Sequence, residues 1–284
     1  MFDLVSHGAD TYVGAGPRYP WGGLYGGQIV AQALRAASAT IDDDQTVHSL
    51  RAYFIRRGDA AEPVRYEVDR IRNGRTFATR RVVARQAVGA ILNLESSYQR
   101  AEPSATVQPA VMPDVPGPDD LEESSWSDDF RRRFVGEEQT PRPPIGAGRM
   151  IAWMRVSVPL AGDDLLRRCW LAYLSDDLPC DAVVRAHPRR AAIDGAEDRF
   201  IASLDHSVWF HATPHVEQWH LYDVTCLAYG GGRGLALGHA FDADGTHVAT
   251  FAQEALVREP AGRQPTSAAT ASRWSRSARS RTCR

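Results

Sequence analysis

The sequence predicts an α+β fold made of two tandem units, each a long buried helix wrapped by a curved antiparallel sheet. Three observations carry that expectation. Residues 25–37, YGGQIVAQALRAA, are small or apolar on nearly every side, the mark of a helix buried all round. Segments that alternate apolar and polar residues follow it, separated by glycine turns. The same order then recurs after ~155 residues, a period too long for a solenoid repeat and suited to a duplicated domain.

In the first unit the helix exits at Asp42 to Asp44, and residues 49–59, 64–71, 76–86 and 90–100 read as strands. Val64, Tyr66 and Val68 alternate with Arg65, Glu67 and Asp69, the period-two pattern of a half-buried strand. Asn73-Gly74 and Val88-Gly89 supply the turns. In the second unit Asp163 is a good N-cap, and Leu165, Leu166, Trp170 and Leu171 follow at helical spacing. Strands are expected over 203–211, 217–229, 234–241 and 246–258, with turns at Gly230 to Gly232 and Ala243-Asp244-Gly245. Between the two units Ser49 answers Ser203, Gly74 answers Gly232, Gly89 answers Gly245 and Arg100 answers Arg258. A further strand is expected before each helix, because a wholly apolar helix needs a curved sheet around it.

These patterns divide the chain into an N-terminal unit (1–100), a Pro-rich acidic linker (101–147), a C-terminal unit (148–258) and an Arg/Ser-rich tail (259–284). Proline removes backbone donors, so the linker should hold no central strand or long helix. Trp126, Phe130 and Phe134 are expected to pin it to the surface. The tail has too little apolar surface to offset its ordering entropy and is expected to be disordered, a basic binding arm being the alternative. It carries six arginines and one glutamate, so the overall charge of −2 hides −7 on residues 1–258.

Every one of the 33 basic residues is arginine. Without lysine the chain can form no Schiff base, no lysine-anchored pyridoxal phosphate and no Walker-type phosphate loop. An acidic folded part argues against nucleic acid as a partner. Cys169, Cys180, Cys226 and Cys283 have no paired metal or redox spacing. Scattered thiols, the lack of a signal-like start and the lack of a membrane-length apolar run point to a cytoplasmic protein. The nine histidines show no metal-ligand spacing, and no cofactor or metal is expected.

The helix-and-meander layout describes the hotdog fold, here doubled. The segments YGGQIVAQAL, HSLRAYFIRRGD, NGRTFATRRV, LDHSVWFH and FAQEALVR, in this order, resemble the acyl-CoA thioesterase II family over about residues 5 to 258. The resemblance implies hydrolysis of fatty acyl-CoA thioesters by water held between an Asp, a Ser/Thr and a Gln. Carried over motif by motif, these are Asp176 in Tyr173-Leu-Ser-Asp, Ser203 two residues before Asp205-His206-Ser207, and Gln253 in Phe-Ala-Gln-Glu. Thr is the family's usual hydroxyl residue, so Ser203 keeps the oxygen and loses the methyl.

Those residue types suit the chemistry. A carboxylate accepts the water proton, and amide and hydroxyl groups hold the water. Backbone N–H groups at the first helix N-terminus, where Gly26 and Gly27 permit close approach, are the expected oxyanion donors, with Gln28 orienting that loop. Trp170, Trp209 and Phe210 are candidates for the acyl chain and equally good core residues. Arg56, Arg57, Arg72, Arg75, Arg80 and Arg81 form either a solvated strand face or a dock for the CoA phosphates, with Arg72 and Arg75 the named candidates. Asp205 and His206 read as a structural pair between strands, a catalytic base at His206 being the alternative. Two other functions stay open on sequence: a hotdog enoyl-CoA hydratase, which needs an Asp and a His at one pocket, and a non-catalytic acyl-CoA binding protein. A homodimer or larger homo-oligomer is expected, since an unpaired edge strand is a liability.

Overall fold

A computed structural model describes residues 1–139, 148–190, 193 and 200–258. The tail and residues 140–147 of the linker therefore lie outside the described residues. The first unit runs β1 (Val5–Ser6), β2 (Thr11–Gly14), α1 (Gly26–Ser38), β3 (Gln45–Phe54), β4 (Val64–Asn73), β5 (Phe77–Gln86) and β6 (Gly89–Arg100). There follow β7 (Phe130–Phe134), β8 (Arg149–Val156), α2 (Asp164–Ser175), α3 (Pro179–Ala186), β9 (Phe200–Ser203), β10 (Asp205–Phe210), β11 (His220–Gly230), β12 (Arg233–Asp242) and β13 (His247–Arg258).

All strands join one antiparallel sheet in the order β1-β2-β4-β5-β6-β3-β10-β13-β12-β11-β8-β7, with β9 alongside β13. The order reads the same from its middle outward, β3 answering β10 and β6 answering β13. The joint is the β3–β10 pair, where Arg51 faces Ser207. Arg51 pairs on its other side with Glu95, and Ser207 with Ala252. That symmetry makes Leu50 the counterpart of His206, Ser96 of Gln253 and Val47 of Ser203. The counterpart of Ser203 is thus Val47 and not Ser49, because hairpins of unequal length shift a motif-by-motif alignment.

Alternation places one residue of each pair against the helices. Along β5, Ala78, Arg80, Val82 and Ala84 are buried while their neighbours are not. α1 lies against β5 and β6, and α3 against β11 and β8. α1 and α2 run antiparallel, joined at one end by Gly27 and Asp176 and at the other by Arg35 and Asp163. Two glutamines interrupt the apolar surface of α1. Gln32 is fully buried and satisfied: it accepts from Tyr66 Oη (2.6 Å) and donates to Met1 O (2.9 Å) and Ala15 O (2.8 Å). The turn at Gly231-Gly232 has φ of 58° and 77°, a two-residue hairpin that a side chain would strain.

The Pro-rich stretch is more structured than its composition suggests. Ala110, Met112, Val115 and Leu121 pack on the outer face of the second half-sheet against Ile151, Trp153, Leu221 and Phe241. Phe130 is fully buried and opens β7, an edge strand on β8. The FRRRF pattern hides this strand because its arginines look solvent-bound. Arg132 instead lies over the Phe134 ring and pairs with Asp177 at 2.5 Å.

Candidate active site

Asp163 caps α2 by accepting from Leu166 N (2.9 Å), and the helix ends with Asp176 as its C-cap. Pro179 starts α3 in its first turn, so the chain bends over Asp176 to Leu178. The second unit, expected from sequence to hold one helix, thus carries α3 as an additional one. The two adjacent acids part company at the bend. Asp177 accepts from Trp126 Nε1 (2.7 Å) and pairs with Arg132. Asp176 turns inward to 6% exposure, where Gly27 N donates to its Oδ2 (2.7 Å) and Ser203 Oγ donates to its Oδ1 (3.4 Å). Among the described residues no cation pairs with it. Burial pushes its pKa up to about 7, the Gly27 N–H and the Gln253 side chain opposing that shift and the charge on Asp177 adding to it.

Ser203 ends β9 opposite Ala255, and Gln253 is fully buried on the inner face of β13. Gln253 Nε2 donates to Ser203 Oγ at 2.7 Å. The three residues proposed from motifs thus converge from α2, β9 and β13 into one chain of donors that ends on the Asp176 carboxylate. A fourth group joins them. Cys180 Sγ lies 3.5 Å from Ser203 Oγ and 3.6 Å from Gln253 Nε2. Burial, with the nearby Asp176 charge, pushes this thiol up to about 12, so it stays protonated. Sequence reading treated Cys180 as a scattered thiol. The available signal was its place four residues past Asp176, directly after the proline that starts α3.

The glycines before α1 are dictated by close approach. A Cβ on Gly26 would lie 2.7 Å from Asp176 Oδ2 and 3.0 Å from the Phe54 ring, and one on Gly27 would lie 2.4 Å from Tyr173 O. The Gly27 N–H is committed to Asp176, which leaves those of Gly26 and Gln28 as the helix-terminal groups able to face an oxyanion. Gln28 does not orient this loop through Asp176: its buried amide bonds to Gln32 (3.4 Å) and lies against Gly16.

Arg72 and Arg75 are exposed at the β4–β5 hairpin. Buried Arg80 ties that hairpin to the far end of α1, bonding Arg72 O (2.9 Å), Thr40 Oγ1 (2.6 Å) and Thr40 O (2.8 Å). α1 has 13 residues, so the hairpin sits ~20 Å from Asp176 at 1.5 Å per residue. The structure does not bring these arginines to the site. Arg56 and Arg57 are nearer: they follow Phe54, which touches Gly26, and Arg57 donates to Trp21 O (3.2 Å) in the loop entering α1.

Trp170 is buried against Phe2 and Tyr173, and Phe210 lies under Arg168. Trp209 is on the opposite face of β10, with Arg51 over its ring at 5.3 Å, which removes it from the inner side. Asp205 accepts from Glu254 N at 2.7 Å, while His206 is fully buried and bonded through Nε2 to Ser175 Oγ at 2.8 Å. The two point to opposite faces of β10, so they form no hydratase-type pair, and His206 does not touch Ser203 as a base would. Among the described residues no group of His, Cys, Asp or Glu is arranged to hold a metal ion.

Comparison with known proteins bears on the family and the fold. Residues 16–97 match the model of the acyl-CoA thioesterase N-terminal domain, and residues 107–257 that of the C-terminal domain. The chain is 34% identical to acyl-coenzyme A thioesterase 8 of Homo sapiens, over 83% of this chain and 80% of that one. It is 31% identical to acyl-CoA thioesterase 2 of Haemophilus influenzae, over 83% and 87%. Among solved structures it is similar to an acyl-CoA thioesterase II from Mycobacterium marinum, with a TM-score of 0.83, 34% identity, and 93% and 98% of the two chains covered. A hot dog fold protein from Alicyclobacillus acidocaldarius, at 20% identity and a TM-score of 0.73, shares the fold.

Proposed function

The chain belongs to the acyl-CoA thioesterase family, and from that premise we propose that Asp176, Ser203 and Gln253 carry its hydrolysis of acyl-CoA thioesters, with fatty acyl chains as the substrates. The observation that carries the assignment is the convergence of three residues from three elements around one buried carboxylate that has no counter-ion among the described residues. Ser203 and Gln253 hold a water against Asp176, which takes its proton as the oxygen attacks the thioester carbon. The N–H groups of Gly26 and Gln28, at the positive end of α1, face the developing oxyanion. The C–S bond then breaks, and Asp176 returns the proton to the departing thiolate. A carboxyl held near neutrality suits both transfers. No covalent intermediate is required, and protonated Cys180 acts as a weak donor and not as a nucleophile.

Arg56 and Arg57 replace Arg72 and Arg75 as the proposed dock for the CoA phosphates, because they border the loop into α1 at the Asp176 end. No helix of the described chain is long and apolar enough to cross a membrane. We place the enzyme in the cytoplasm, where its free thiols Cys169, Cys180 and Cys226 would stay reduced. We also propose a homodimer or larger homo-oligomer, since exposed Tyr53 and Leu235 lie on the outer sheet face; light scattering tests this. For the function itself, thiol release is measured over a panel of acyl-CoA esters with the wild type and Asp176→Asn. Release by the wild type alone supports the assignment. Equal release by both removes Asp176 from its role, and binding without release by either makes the protein a binder.

A further inference from the structure

His206 has no task in the hydrolysis described above, yet it is a fully buried imidazole. The fold does not require it, because its symmetry counterpart in the first unit is Leu50, also fully buried. The counterpart of Gln253 is Ser96, and that of Ser203 is Val47, so the imidazole is present only in the half that carries the catalytic group. Its surroundings say why. The β10–β13 register pairs Ser207 with Ala252, and one step further His206 faces Gln253 on the inner side. Gln253 spends its Nε2 on Ser203. Its Oε1 and the Nδ1 of His206 are the remaining buried polar atoms of the two side chains, and neither makes a hydrogen bond as the side chains stand. The opposite ring nitrogen is held by Ser175, the residue next to Asp176.

We propose that His206 is a positioning residue that fixes the direction of the catalytic hydrogen-bond chain. A small rotation of the two side chains lets the neutral Nδ1–H tautomer donate to Gln253 Oε1 and accept at Nε2 from Ser175 Oγ, whose one proton then turns from Ala172 O (3.0 Å) to the ring (2.8 Å). Gln253 must then present Nε2 to Ser203, and Ser203 must donate onward to Asp176. Every donor points at the base, and each bond polarises the next. With the amide flipped, Gln253 would offer Ser203 an acceptor, and the serine proton would leave Asp176. Burial agrees, lowering the His206 pKa to about 4 and keeping the ring neutral, a shift the Gln253 side chain partly opposes.

This inference rests on the Asp176–Ser203–Gln253 reading, and its test separates the two. In His206→Asn the side-chain amide reaches the place of Nδ1, and in His206→Gln that of Nε2. His206→Asn therefore keeps the donor to Gln253, while His206→Gln keeps only the contact with Ser175. The expected result is a loss of about 10- to 100-fold in kcat for His206→Gln, the scale of a small misplacement of a catalytic group. KM should be little changed, the acid limb of the pH profile should move upward as Asp176 loses support, and His206→Asn should restore most of the turnover. In a Gln253→Ala background His206→Gln should cost nothing further. Equal loss in the two His206 variants, no loss in either, or additivity with Gln253→Ala would overturn the positioning role. Full activity of both Asp176→Asn and Gln253→Ala would instead sink the underlying reading.

Discussion

The carboxylate of Asp176 caps a helix to which it does not belong. Its Oδ2 lies 2.7 Å from the Gly27 amide nitrogen, across 149 positions of sequence. The local N-cap, Tyr25, provides no side-chain bond to α1. The duplicated fold thus places the positive end of one unit's helix on the acid that ends the other's. That end favours the anion, and burial disfavours it. Burial wins, so the group sits near neutrality where a base that must also return a proton is most useful.

Stability and activity should therefore part at this residue. An acid whose pKa is raised on folding contributes stability below its unfolded value of 3.8, and that stability is lost as pH rises through about 7. The full shift corresponds to roughly 4 kcal/mol at most, by the usual conversion of pKa units. Asp176→Asn removes the buried charge and keeps an acceptor for Gly27, while its NH2 replaces the acceptor that Ser203 meets. It should be inactive yet melt higher than the wild type at pH 8, with the gap closing at pH 4. Thermal unfolding at the two pH values checks this. In the wild type, kcat/KM should rise with pH on a limb near 7; a limb near 4 would contradict the burial of the base.

Glycine substitutions at the start of α1 should separate chemistry from folding. Gly26→Ala directs its methyl at the Asp176 carboxylate and the Phe54 ring, side chains that can move. A displacement of that carboxylate near 1 Å should lower kcat about 100-fold with modest destabilisation. Gly27→Ala meets the Tyr173 carbonyl at 2.4 Å, which is backbone and cannot yield cheaply. It should cost several times more stability, with a melting temperature drop visible before any assay. Equal melting of the two variants would show that the helices can spread.

Much of this was legible beforehand. Period-two patterns located the strands, the apolar stretch located α1, and the resemblance to the acyl-CoA thioesterase II family implied Asp176, Ser203 and Gln253. What sequence did not show depends on distance in space. The Gly27 cap and the Cys180 contact bring together segments far apart in the chain. The reach of Arg72 and Arg75 depends on which end of α1 their hairpin meets, which Arg80 decides by pointing inward from an arginine-rich strand. The Phe130–Phe134 edge strand was masked by arginines whose charges are absorbed by Asp177, Asp119 and Glu123.

The enzyme should lose stability in mild acid for reasons separate from catalysis. Burial lowers both His206 and His247 to about 4, and His247 also feels His211 and His239, whose rings lie tilted beside it at 4.6 and 5.0 Å between ring centres. A base depressed on folding contributes stability above its unfolded value of 6.5, lost as pH falls toward 4. Denaturant midpoints should fall across that window. His247→Gln, on the outer sheet face and away from Asp176, should flatten the decline and leave kcat unchanged. An unaltered slope would move the acid sensitivity to the other histidines that burial depresses, His206 and His220 among them.

Charge at the entrance should matter on one end of the molecule only. CoA carries phosphates that guanidinium groups hold well, and exposed contacts of this kind are screened by salt. Arg57 already borders the loop into α1 through Trp21 O, and Arg56 bonds Ala90 O at 2.9 Å on the neighbouring strand. The double variant Arg56→Ala/Arg57→Ala should raise KM for acyl-CoA severalfold, leave kcat nearly intact and weaken the salt dependence of kcat/KM. Arg72→Ala/Arg75→Ala, at the other end of α1, should change none of these. Acyl esters of a short thiol without phosphates provide the control, because neither pair of substitutions should alter their turnover. If the Arg72/Arg75 pair proves the sensitive one, the substrate approaches from the opposite end of the helix, and the thioester must reach Asp176 along the length of α1.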